Sequence, residues 1–303
     1  MKFRIMEGVR LTVWSFFYLL LVIGIWGLEE HNPSNTAAVA ALTYSPHFFW
    51  LIPLFLLMYP AFRKKNWAAL DVQALTLILV LVFLMNLHIP QPQDCAGKGF
   101  DLLSYSTQRG SVSVFVLQEI LNVHHPEVVA LQDTGPATSS YVTALKKSGW
   151  QVTSQGGLIT LSKHPILHSQ GVLGALITDM RIQNKKVRII NVHLPEVRQP
   201  LTLQEDAHRH QQTLQGILSH ALASNTILVG NFNAVPHGLW VKPLRKHFQE
   251  AMGLGFGYTY PTFMPVERKD QVWYNTGLCL LQHQVLPERG SDHRAVEIKL
   301  NVN

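Results

Sequence analysis

Pro126-Glu127-Val128-Val129-Ala130-Leu131-Gln132-Asp133 reads as a short strand, apolar on both faces, that ends abruptly in a polar pair. An uncharged run without alternation, such as Val128 to Leu131, fits a strand covered on both sides. Pro126 separates it from a helix predicted over about Ser113 to Asn122, where Val114, Leu117, Ile120 and Leu121 fall on one face. A further strand, Phe100 to Ser106, precedes that helix. Strand, helix and buried strand in succession already indicate layers of helix on sheet.

Downstream the alternation continues. A helix is expected near Ser139 to Ser148, then strands at Leu158 to Ser162, Ala175 to Ile182 and Val187 to Leu194. Gln183, Asn184, Lys185 and Lys186 join the last two with a hairpin composition. A polar helix from about Gln204 to Ala223 leads to a buried strand at Thr226 to Gly230, and strands near Gln271 to Tyr274 and Ala295 to Leu300 close the chain. No internal repeat or low-complexity segment interrupts the pattern. The expected fold class is α/β (α+β): a four-layer α/β sandwich of two packed mixed sheets flanked by helices.

The 303-residue chain is 47% hydrophobic, and its long uncharged stretches are concentrated before about residue 90. Three apolar runs, about residues 11–28, 46–62 and 67–87, approach the length of a bilayer-spanning helix, and the second starts at Phe48 or nearer Ala37. Residues 1–90 therefore read as a membrane anchor, 91–99 as a linker that is Pro-rich around Ile89 to Gln93, and 100–303 as a folded domain. Lys2, Arg4 and Arg10 precede the first span, and Arg63, Lys64 and Lys65 separate the second from the third, which marks those ends as cytoplasmic. Glu29 and Glu30 follow the first span instead. Three spans then deliver the domain to the extracytoplasmic side of a multi-pass membrane protein, periplasmic in a bacterium. If the first run is a cleaved signal peptide, as Ala37, Ala38, Ala40 and Ala41 allow, the domain still emerges on that side. Asp71 alone gives no polar path through the spans, which argues against a channel or transporter.

The net charge of +6 and pI of about 9.3 suit a surface that meets phosphate, although several basic residues serve as topology signals. With two cysteines, Cys95 and Cys279, neither a disulfide framework nor a thiolate cluster is available. One bridge or two free thiols remain open, and the reading favours free thiols with Cys279 buried.

Four segments, in order, resemble the endonuclease/exonuclease/phosphatase superfamily. Pro126 to Asp133 resembles its strand ending in Gln and an acidic metal ligand. Ile190-Asn191-Val192-His193-Leu194 resembles the strand presenting a catalytic His, Val229-Gly230-Asn231-Phe232-Asn233 the Gly-Asp-Phe-Asn strand end, and Ser291-Asp292-His293-Arg294 the terminal Ser-Asp-His motif. Leu158 to Ile166 and Arg268-Lys269-Asp270 add weaker matches.

The resemblance implies a phosphoester hydrolase. Phosphoester cleavage needs a cation against developing charge, a base for water and support for the leaving oxygen. Asp133 is then a metal ligand, for Mg²⁺ or Mn²⁺, and Asp292 a second metal ligand or a proton-relay carboxylate. His293 is the general base or phosphate-polarising imidazole, with Asp270 orienting it; His193 meets the phosphate from the other side and Asn233 holds a phosphate oxygen. Taken alone, Asp133 serves as well to cap its loop, Asp270 as a turn residue and His193 as a strand histidine.

Two departures stand out. Ser106 replaces the usual first-strand Asn, and Asn231 stands where the family has the Asp of Gly-Asp-Phe-Asn. An amide exchanges hydrogen bonds but not a proton. The expected function is a membrane-anchored, metal-dependent phosphodiesterase or phosphatase of the nuclease class. The alternative is a catalytically weak or inactive phosphate-binding module with the same fold. Its expected partners are the lipid bilayer and a phosphoester substrate, a lipid head group or nucleic acid; no protein partner is inferred, and the loops Leu194 to Gln204 and Val235 to Pro265 carry no readable specificity motif.

Overall fold

The computed structural model describes residues 2–31, 36–90, 95, 97–197, 202–287 and 290–303. The expected linker at 91–99 and the loop Leu194 to Gln204 therefore lie partly outside the described residues. The chain divides into two units: residues 1–88 with 237–240, and residues 89–236 with 241–303.

The first unit is helical: α1 (Lys2–His31), α2 (Ala37–Thr43), a 3₁₀ turn His47–Trp50 running into α3 (Leu51–Arg63), and α4 (Trp67–Leu79), prolonged as a π turn over Val80–Leu84. Val9–His31 and Trp67–Leu84 are long and apolar enough to cross a membrane. The middle segment differs from a single straight span. Ala37–Thr43 and His47–Arg63 meet at 91°, because Pro46 holds extended backbone between them. Trp14, Phe17, Leu56 and Phe62 are among the large apolar side chains left facing outward. Polar contacts join the helices instead: Gln73 Nε2 donates to Ser15 Oγ at 2.8 Å, and Asn66, which caps α4, donates to Thr12 Oγ1 at 3.1 Å.

The second unit contains β1 (Phe100–Ser106), α5 (Val114–His124), β2 (Val128–Gln132), α6 (Thr138–Lys147), β3 (Gln151–Gln155), β4 (Leu158–Ser162), β5 (Ile166–Val172) and β6 (Ala175–Ile182). It continues with β7 (Lys185–His193), α7 (Leu203–Leu218), β8 (Thr226–Asn231), α8 (Lys242–Arg245), β9 (Gln249–Glu250), β10 (Asp270–Tyr274), β11 (Leu278–Val285) and β12 (Val296–Val302). One six-stranded sheet has the order β11-β12-β1-β2-β4-β3 and the other β5-β6-β7-β8-β10-β9. Each is mixed, with β1–β2 and β7–β8 parallel.

The pleat sorts the side chains. Leu102, Val128 and Ala130 point inward, into the core shared with Met180, Ile189, Val229 and Val272 of the other sheet. Their neighbours Leu103, Val129 and Leu131 point outward, against Leu117 and Leu121 of α5 and Tyr141 and Leu145 of α6. Helix α7 covers the far side, burying Ala207, His210, Leu214 and Ile217, with His210 Nε2 2.8 Å from the Phe232 carbonyl. Gln183 and Asn184, both at positive φ, make the two-residue turn between β6 and β7.

Cys95 and Cys279 form a disulfide, their Cα atoms 5.8 Å apart, which overturns the expectation of free thiols. Strand β11 brings Cys279 to the sheet edge beside the chain entering β1; the 184-residue separation hides that proximity in the sequence. Cys279 is nevertheless buried.

Candidate active site

Strand register assembles the cleft. In the second sheet His193 pairs with Asn231, and Asn231 with Asp270, so three strand ends set these residues side by side. In the first sheet β2 ends just before Asp133, beside the end of β1 at Ser106. Beneath them the sheets are joined by a buried polar pair: Gln132 Nε2 donates to Asn191 Oδ1 at 2.8 Å, and Asn191 Nδ2 donates to the carbonyls of Leu131 and Ile159 at 3.0 and 2.9 Å. Gly230, at φ 138°, leaves room here: a Cβ would lie 2.2 Å from the Val192 carbonyl oxygen of the adjoining strand β7 and 3.1 Å from Gln132 Nε2 of the other sheet.

The resulting cleft, of about 690 Å³, is lined by Ser106, Asp133, His193, Asn231, Asn233, Asp292 and His293 among others. Asp270 stands behind His293, its Oδ2 accepting from Nδ1 at 2.7 Å. The Ser-Asp-His loop is pinned by its serine, whose hydroxyl donates to the Ser106 carbonyl at 2.7 Å and accepts the His293 N–H at 3.1 Å. Asp292 Oδ1 lies 4.0 Å from His293 Nε2.

These surroundings divide the two imidazoles. Burial pushes His293 down, but the charge and hydrogen bond of Asp270, with help from Asp292 and against Lys269, leave it above its ordinary value. For His193 burial wins over the attraction of Asp133, Asp270 and Glu196, and nearby His293 adds to the fall, so it stays below its ordinary value.

The remaining groups are more constrained than their sequence suggests. Asn231 Oδ1 accepts the Asn233 N–H at 2.9 Å, and Asn233 Nδ2 donates to the Leu194 carbonyl at 2.8 Å. One of the two amide hydrogens of Asn233 is thus already engaged. Asp133 both lines the cleft and caps a loop, its Oδ2 accepting the Arg109 N–H at 2.9 Å. The loop it holds is the one after β1, whereas the sequence suggested the loop that follows its own strand.

Sequence reasoning missed Glu196 and Arg109, which also line the cleft. Glu196 lies 3.6 Å from Lys269 Nζ, which sits 3.9 Å from the centre of the Tyr260 ring; that ring in turn lies 4.9 Å from the His293 ring. Both missed residues sit in loops without periodicity. The His-Leu-Pro-Glu run and the Gln-Arg-Gly turn were the only local signals. Asp133, Asp292 and Glu196 place carboxylates along the lining of one cleft, and carboxylate oxygen is the ligand type that a hard divalent cation takes.

No curated protein matches the chain in sequence. Solved structures with the same fold include an endonuclease/exonuclease/phosphatase from Beutenbergia cavernae (14% identity, 68% of this chain and 72% of that one, TM-score 0.52). The human Nocturnin catalytic domain with bound sulfate is similar at 15% identity, over 68% of this chain and 95% of that one, with a TM-score of 0.53. A variant of the Neisseria 3′ phosphatase NExo, bound to a product DNA hairpin, matches at 16% identity over 67% and 99%, with a TM-score of 0.51. The profile of the Endonuclease/Exonuclease/phosphatase family matches residues 107–293, more than half of the sequence. The chain therefore belongs to the endonuclease/exonuclease/phosphatase family.

Proposed function

We propose that the protein is a membrane-anchored, divalent-metal-dependent hydrolase of phosphoesters, acting on the extracytoplasmic side. The observation that carries the reading is the Asp270–His293 pair, opening onto a cleft that also holds His193, Asn231, Asn233, Asp133 and Asp292. Asp270 accepts the Nδ1 hydrogen and leaves Nε2 as the ring's cleft-side base. His293 takes a proton from water as its oxygen bonds to phosphorus and the ester P–O bond breaks. His193, neutral at pH 7, contributes a hydrogen bond to the phosphoryl group without adding charge, and Asn233 offers an amide N–H.

Asp133, Asp292 and Glu196 would hold Mg²⁺ or Mn²⁺, which when bound supplies charge against the phosphate oxygens. The leaving oxygen receives no proton from Asn231, so good leaving groups are favoured. Substrates of the class are lipid head groups or nucleic acid, the bilayer being the second partner. The basic ends Lys2, Arg4, Arg10 and Arg63 to Lys65 support the orientation, and the Cys95–Cys279 disulfide supports an oxidising compartment.

The test is phosphate or product release from DNA, sphingomyelin-type and phosphoinositide substrates, with and without Mg²⁺ or Mn²⁺, for wild type and His293→Ala. Metal-dependent turnover lost in the variant is expected. Its absence on every substrate, with the variant indistinguishable, overturns the reading. A second reading, a phosphate-binding module without turnover, is favoured by the amide at Asn231; it predicts sulfate or phosphate affinity alone.

A further inference from the structure

A second set of chemically active side chains lies in the helical unit and shares no residue with the cleft. Glu29 stands near the end of α1, His47 opens the 3₁₀ turn, and His237 comes from the short excursion 237–240 that belongs to this unit. Their exposures are 1%, 3% and 4%. His47 Nε2 lies 2.7 Å from Glu29 Oε1 and 3.0 Å from His237 Nε2, which is 3.6 Å from Glu29 Oε2.

Protons alone satisfy this triangle poorly. An imidazole nitrogen is either an N–H donor or a lone-pair acceptor. If His47 Nε2 donates to Glu29, it has no lone pair for His237. If it accepts from His237, its lone pair faces a carboxylate oxygen at 2.7 Å. Two imidazolium rings would set N–H against N–H at 3.0 Å. Glu29 Oε2 and His47 Nδ1 are, moreover, fully buried without a hydrogen-bond partner, an expensive state for polar atoms. Glu29 is also an ionisable group at the end of an apolar helix, where charge calls for compensation.

A single cation removes the conflict, because both Nε2 atoms and the carboxylate can then serve it as lone-pair donors without a proton between them. The ligand atoms lie 2.7, 3.0 and 3.6 Å from one another, within the reach of one metal ion with bonds of about 2 Å. Two imidazoles and one carboxylate suit a borderline ion better than Mg²⁺, which prefers oxygen alone. We propose that Glu29, His47 and His237 bind a divalent transition ion of the zinc class. The ion fastens the 237–240 excursion to α1 and the 3₁₀ turn, and its binding adds to the stability of the helical unit.

The experiment uses the full-length protein in detergent, stripped with chelator and carrying Asp133→Asn, Glu196→Gln and Asp292→Asn to silence the three carboxylates proposed to hold metal in the cleft. Co²⁺ is titrated by its visible absorption, and Zn²⁺ by displacement of Co²⁺ and by thermal shift. One equivalent per chain with an intense, low-symmetry Co²⁺ spectrum is expected. His47→Ala and His237→Ala should each weaken binding at least on the order of 100-fold, as loss of a ligand exceeds loss of a group behind one. Failure of the folded parent to take up an equivalent overturns the proposal without recourse to the variants. So does unchanged affinity in both His variants.

Discussion

Asp270 Oδ2 and His293 Nδ1 lie 2.7 Å apart with both side chains buried, although they are 23 positions apart in the chain. This contact raises the imidazole above its ordinary value despite burial. A base in that position works only when deprotonated, so the rate should climb with pH through a value above about 6.5.

Asp270→Asn removes the charge that raises His293. The acid limb of the pH–rate profile should then move to lower pH, while the rate falls by on the order of 10²- to 10⁴-fold. Stability changes in the same experiment. A folded pKa above the unfolded one stabilises fully below about pH 6.5 and less as pH rises through the folded value, so thermal melts of wild type should show this loss and those of the variant much less of it. An unmoved acid limb would remove Asp270 from its orienting role.

Asn231→Asp keeps the size and the acceptor oxygen that receives the Asn233 N–H. It restores a proton-exchanging group where the leaving oxygen is expected. Turnover should rise by on the order of 10²- to 10⁴-fold, with the larger gain on alkyl than on p-nitrophenyl esters. Equal silence on both substrates would favour the binding module.

Asn191→Leu tests the polar join between the sheets. It removes the bonds that Asn191 makes to the Leu131 and Ile159 carbonyls and to Gln132, which keeps only Ala130 and Ser104 on its own sheet. The cost should be on the order of 3 kcal/mol, a fall in Tm of roughly 6–12 °C by scanning fluorimetry. A shift within error would show that the pair is dispensable for the scaffold.

Cys95→Ser with Cys279→Ser should lower stability by about 2–4 kcal/mol in the domain that the bridge closes. Thiol labelling of wild type in intact cells checks the proposed compartment. Modification before any reductant is added would place the domain in a reducing space and undo the topology.

The strands that were legible in the sequence are interior ones. β1, β2, β4, β6, β7, β8, β10 and β12 are flanked by neighbours, and their buried runs declare them. The strands not foreseen, β3, β5, β9 and β11, occupy the four sheet edges. Gln151-Val152-Thr153-Ser154-Gln155 and Ile166-Leu167-His168-Ser169-Gln170-Gly171-Val172 carry polar and half-exposed side chains, because an edge strand has less to bury and is disguised by that economy. In the cleft, His193, Asn231 and Asp270 sit on interior strand ends whose register assembles them. Asp133, Asn233, Asp292 and His293 lie just outside strands and were legible only through their motifs, whereas Glu196 and Arg109 come from loops that carry neither motif nor periodicity.

The covalent ring from Cys95 to Cys279 redirects how this domain would meet mechanical load and proteolysis. Tension arriving along the chain from residue 89 is shared with β11 before it reaches Phe100, so peeling β1 out of the middle of its sheet is not the first response to a pull. One nick inside the ring likewise yields two pieces that stay a single molecule until a reductant separates them.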